Sequence, residues 1–130
     1  MDKEKLYKVY FWVVGVYDIL LGGAFLLFYK AIYGFFNITP ANHPGYIYFP
    51  AAVIVAGGIG EFLIAKNPLC NTDLVIVRLL MKLSFAVIIF YYFFKQSVPI
   101  IFVIIACLST ISVVKSLFFL SWARSATNKA

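Results

Sequence analysis

One histidine, two cysteines and five carboxylates are all that this chain of 130 residues has of the side chains on which most enzymes draw. A single His43 cannot provide the two axial ligands of a bis-histidine membrane haem. Cys70 and Cys107 stand far apart, with no C-x-x-C or Cys/His spacing, so neither a disulfide framework nor a zinc site is expected, and both cysteines read as structural. No metal or cofactor is expected. The signatures G-x-x-x-x-G-K-[ST], G-x-S-x-G and H-E-x-x-H are also missing, which removes the common nucleotide-binding and hydrolytic chemistries. Charge is scarce too, at 12% of residues against 64% hydrophobic, with mean hydropathy +0.97. A soluble domain of this length cannot bury that much apolar surface, and a lipid surrounding removes the contradiction.

What the sequence does have is four long apolar runs. They predict an all-α integral membrane four-helix bundle, a single transmembrane domain over 1–130 with helices at about 9–29, 47–65, 74–94 and 99–122. About 20 residues rising about 1.5 Å each cover a hydrocarbon layer of about 30 Å. The first run is too long for a cleavable signal, lacks an A-x-A-like site and contains Asp18, so it reads as the first anchor. Proline and glycine then gather in IYGFFNITPANHPGYIYFP, where Gly34, Pro40, Pro44, Gly45 and Pro50 are expected to break helical structure. The aromatics of this stretch suit a loop lying in the headgroup layer. Asn37-Ile38-Thr39 matches a glycosylation sequon and reads as chance.

Asn67-Pro68 is expected to end the second helix, with Asn71, Thr72 and Asp73 as caps for the third and Pro99 in the first turn of the fourth. The last residues of SWARSATNKA are expected to be unstructured. The net charge of +6 does not indicate nucleic acid, because the basic residues sit at the ends of apolar segments rather than in one patch. They set topology instead. The amino terminus, the Lys66 turn and the Arg124/Lys129 tail fall on one side, and Lys30 and Lys95 on the other. An up-down-up-down bundle with both termini cytoplasmic follows.

Five ionisable residues lie within or at the ends of the apolar runs: Asp18, Glu61, Arg78, Lys82 and Lys115. Counting about 1.5 Å per residue from the cytoplasmic end puts Asp18 about 13 Å deep and Lys82 about 12 Å, with the others nearer the surface. An isolated charge at the bilayer centre costs at least about 2.5–3.5 kcal/mol, so pairing inside the bundle is expected. Asp18 is assigned to Lys82, and Glu61 to Lys115 or Arg78, with serines of the fourth helix completing the hydrogen bonds. Gly15 and Gly22 share a helical face with Asp18, and Gly57 shares one with Glu61, which points those faces inward.

YDILLGGAFLLF, GIGEFLIAKNP and Leu80-Met81-Lys82 resemble the small four-helix bacterial membrane proteins grouped as DoxX-like. The likeness implies a four-span architecture in the bacterial inner membrane, and links to respiratory complexes or redox stress as in some members. The chain departs from that pattern in having Lys115 where an acidic residue is common, and in Asn67-Pro68 and Cys70-Asn71 at the turn.

The leading expectation is a non-enzymatic accessory or interaction subunit of a larger membrane complex, whose partners are the bilayer and a second membrane protein or further copies of itself. The alternative is a small transporter or ligand-binding bundle with Asp18, Glu61, Arg78, Lys82 and Lys115 lining a cytoplasmic-side pocket. A membrane enzyme using Asp18 and Glu61 as acid and base is a weaker third.

Overall fold

The computed structural model describes residues 2–129 and is all-α, with no strand among the described residues. Its elements are α1 (Lys3–Phe35), α2 (Gly45–Lys66), α3 (Thr72–Lys95) and α4 (Ile100–Thr127). All four are long and apolar enough to cross a membrane, and in the most apolar stretch of each only 17–33% of residues are buried. The remainder faces outward with side chains such as Leu27 and Phe94, 76% and 82% exposed. Each large apolar side chain left in water forfeits about 1.5–3 kcal/mol, so this surface belongs against lipid or another protein.

Helix α1 is longer at both ends than the apolar run that announces it. Asp2 takes the extended N-cap conformation and its carboxylate accepts from the Glu4 N–H at 3.4 Å, while Lys8 pairs with Glu4 at 2.8 Å one turn on. These local interactions carry the helix out through the charged segment that hydropathy leaves aside. At 33 residues it spans about 50 Å, and because it grows at both ends Asp18 stays near its midpoint. A bend at Phe28 (φ −129°, ψ 21°) interrupts it without proline.

Gly34 does not end α1. The stop comes at Asn37, whose φ of 53° is the only left-handed backbone among the described non-glycine residues. The Ile38 N–H donates to the Tyr33 carbonyl and the Asn37 N–H to the Gly34 carbonyl, at 2.8 and 3.3 Å, the paired bonds of a Schellman C-cap. Asparagine tolerates that conformation better than other residues with a Cβ, which gives Asn37 a structural role independent of any sequon.

Pro50 is likewise inside a helix. Helix α2 starts at Gly45 with Pro44 as N-cap, and its opening bonds include both the Ile47 and Tyr48 N–H groups on the Pro44 carbonyl at 2.9 Å. Proline so near a helix start removes one hydrogen bond without stopping the helix. Tyr33 and Phe35 therefore lie on α1, Tyr46, Tyr48 and Phe49 on α2, and the connection shrinks to residues 36–44. Asn71 is the N-cap of α3 by position, without a side-chain cap bond, and Pro99 precedes the first residue of α4. The basic tail is helical through Thr127, and only Ala130 of the segment expected to be unstructured lies outside the described residues.

The chain forms two compact units that meet in sequence at Pro68 and Leu69. In the first, α1 and α2 pack backbone to backbone. A Cβ built on Gly15 falls 2.9 Å from the Gly58 carbonyl oxygen and 2.7 Å from the Phe62 ring, and one on Gly22 falls 2.7 Å from the Ala51 carbonyl oxygen. The pairs Trp12–Phe62 and Tyr29–Tyr48, with ring centroids 5.6 and 5.4 Å apart, flank these contacts. Positions ascending α1 meet positions descending α2, so the two helices are antiparallel.

In the second unit no glycine is available, since all eight lie before residue 61. Helices α3 and α4 are joined across their middles by Lys82 Nζ donating to Ser112 Oγ at 3.2 Å. The two residues stand at nearly equal distances from the 96–99 turn, as an antiparallel hairpin requires.

Candidate functional site

The buried positions of α1 are Phe11, Gly15, Asp18, Gly22, Phe25 and Tyr29, alternating steps of four and three. That spacing is a single helical seam, with Asp18 at its centre. The carboxylate sits between the two glycines at which α2 comes closest, and Asp18 is 5% exposed. On α2, Glu61 is 3% exposed and lies one turn from Gly57, Gly58, Ile64 and Ala65, all buried. The first unit thus holds two buried carboxylates on adjacent helices.

The second unit holds the cations. Arg78 is 7% exposed and its Nη1 lies 3.7 Å from the Met81 sulfur, while Lys82, one turn later on α3, is half-buried with Ser112 as acceptor. Ser112 and Ser116 are buried on the same stripe of α4 and Ser109 is half-buried. Lys115 is exposed instead. A residue beside Ser116 in sequence is rotated about 100° from it around a helix, enough to take Lys115 out of the buried stripe. Its long side chain suits it to reach toward the membrane surface.

Four of the five candidate residues are therefore buried or half-buried, Asp18 and Lys82 near the middles of their helices, Glu61 toward the end of α2 and Arg78 toward the start of α3, two carboxylates in one unit and two cations in the other. Among the described residues no buried side-chain nitrogen or oxygen lacks a hydrogen-bond partner. Asp18, Glu61, Arg78 and Lys82 each have an interaction partner. Satisfied buried charges hold helices in one register, since breaking such a contact leaves a charge in a medium that cannot solvate it. No three His, Cys, Asp or Glu side chains gather as a metal site among the described residues.

Two neighbours of the site were not anticipated. Phe62 lies against Gly15, for which the signal is the Gly58-x-x-x-Phe62 spacing, and Met81 offers its sulfur to Arg78 three residues away. Away from these charges, a shallow groove of about 440 Å³ is lined by His43, Gly45, Tyr46, Phe49 and Pro50 at the start of α2. None of the five candidate residues lines it. His43 accepts the Gly45 N–H on Nδ1 at 3.0 Å, a local cap of the turn.

Comparison with family models, curated proteins and solved structures finds no match to this chain.

Proposed function

We propose that this chain is a non-catalytic subunit of a larger membrane assembly, with its buried charges holding helices in register and its apolar outer surface receiving a partner membrane protein. One observation carries the reading. Among the described residues every buried side-chain nitrogen and oxygen has a hydrogen-bond partner, while at most 33% of the most apolar stretch of any helix is buried. The polar chemistry is spent on cohesion, and the surface left over is contact surface.

In this reading the four helices cross a bacterial inner membrane up-down-up-down with both termini cytoplasmic. Its support is the grouping of Lys3, Lys5, Lys8, Lys66, Arg124 and Lys129 against Lys30 and Lys95. The first hairpin buries the carboxylates Asp18 and Glu61 and the second holds the cations Arg78 and Lys82, each with an interaction partner. Lys115 is exposed and stands apart from these four. Membership of the DoxX-like group is supported by the short motifs in α1, α2 and α3 and by the count of apolar helices.

The test is extraction in polymer-bounded native lipid followed by mass measurement of intact particles. A second polypeptide at fixed stoichiometry is the expected result. Particles containing this chain alone, together with solute uptake by the purified chain in liposomes, would overturn the proposal. The second reading, a ligand-binding bundle, draws on the half-exposed Lys82 at mid-helix. Under it Asp18→Asn abolishes uptake or binding in a protein that still inserts, whereas under the subunit reading the same change lowers stability.

A further inference from the structure

Antiparallel packing of α1 and α2 sets the basic residues of the first unit at one end. Gly58 meets Gly15, Phe62 meets Trp12 one turn further, and one more turn brings Lys66 level with Lys8. Lys3 and Lys5 continue beyond on the same helix, because α1 extends through the charged segment instead of starting at the apolar run. Lys3, Lys5 and Lys66 are exposed, and Lys8 keeps 41% of its side chain exposed beside Glu4. Trp12 marks the depth: it is 59% exposed, a turn below Lys8 and two turns below Lys5 on one face of α1. An indole at that position with ammonium groups above it is the arrangement of an interfacial anchor. The opposite end of this unit has Lys30 alone among lysines and arginines.

We propose that Lys3, Lys5, Lys8 and Lys66 form a binding surface for anionic phospholipid headgroups, with Trp12 against the glycerol and upper acyl region of the same lipids. The occupant follows from geometry and charge. The ammonium groups sit where a lipid phosphate lies if Trp12 is at the interface, and their excess over Asp2 and Glu4 selects lipids with net negative charge. Long lysine stems reach that layer from helix positions just below it. The surface operates whether or not the chain has a protein partner, so it stands apart from the subunit reading.

The probe is fluorescence quenching in reconstituted bilayers. The chain has two tryptophans, so Trp122→Phe leaves Trp12 as sole reporter. Brominated phosphatidylglycerol should compete for the site beside Trp12 about five-fold or more better than brominated phosphatidylcholine, the ratio expected when the lysines together favour the anionic lipid by at least the contribution of one. The preference should fall toward unity in the K3Q/K5Q/K8Q/K66Q background, and also at about 1 M salt, where the Debye length is about 3 Å. A tryptophan placed at the far end by Tyr46→Trp, with Trp12 and Trp122 both changed to Phe, should show little preference. Equal quenching by the two lipids at Trp12, or a preference that survives both high salt and loss of the four lysines, would overturn the proposal. If the fourfold variant fails to insert, the salt series on the Trp12 reporter decides alone.

Discussion

The two hairpins of this protein are held together by different means. In the first, glycine lets backbones touch: Gly15, Gly22 and Gly58 each face a carbonyl oxygen or ring closer than a methyl group tolerates. In the second, which has no glycine, a lysine reaches across to a serine, and the buried positions of α4 mix Ala106, Ser112, Ser116 and Ala123 with the larger Ile105, Val113 and Phe119. Lipid offers helices no hydrophobic reason to associate, so close van der Waals packing and hydrogen bonding must supply it. The first hairpin relies on the former and the second on the latter. The two buried carboxylates of the first hairpin therefore lie beside a backbone contact with little slack.

The comparison predicts where substitution hurts most. Asp18→Leu should be the most damaging, by about 3 kcal/mol or more, because it strands the partner of a buried charge. Reversible unfolding in mixed micelles or steric trapping in bicelles measures it, and a loss under about 1 kcal/mol would show that the seam does not depend on its central carboxylate. Gly58→Ala comes next, at about 1–3 kcal/mol, since the new methyl lands 2.8 Å from the Gly15 carbonyl oxygen and 2.7 Å from the Ile19 side chain. Thermal inactivation of the detergent-solubilised protein reads this. In the second hairpin Ser112→Ala should cost less, about 0.6–1.7 kcal/mol, the range for a hydrogen bond between membrane helices. A larger loss than that for Gly58→Ala would reverse the ranking of the two hairpins. Smallest is Gly23→Ala, where an added Cβ meets nothing within 4 Å, so a shift within about 1 kcal/mol in the stabilising direction is expected from helix propensity.

The adjacent Gly22 and Gly23 show how far sequence reading reaches. Both are glycine in an apolar helix, and the face shared with Asp18 correctly marks Gly22 as a contact position. Pro50 and Gly34 show the opposite case. Both read as breakers, yet one sits a turn into α2 and the other inside α1, because neither lies where the loss of a bond or of side-chain bulk decides the outcome. The real stop, Asn37, depended on a backbone angle that its residue type permits and does not announce. Lys115 resembles the other candidate charges in every local respect and is exposed, since its rotation about α4 relative to Ser112 and Ser116 sets its surroundings.

Sequence alone determined the all-helical class, the four apolar segments and the identity of the charges that need company. Those follow from the chemistry of a chain with too much apolar surface for water, and they are written residue by residue. Which glycines bear on a neighbouring backbone, and which lysine meets a serine while another turns outward, were decided by tertiary structure. Each depends on a second helix arriving at a particular register and rotation, and that is a property of pairs of segments which no single segment encodes.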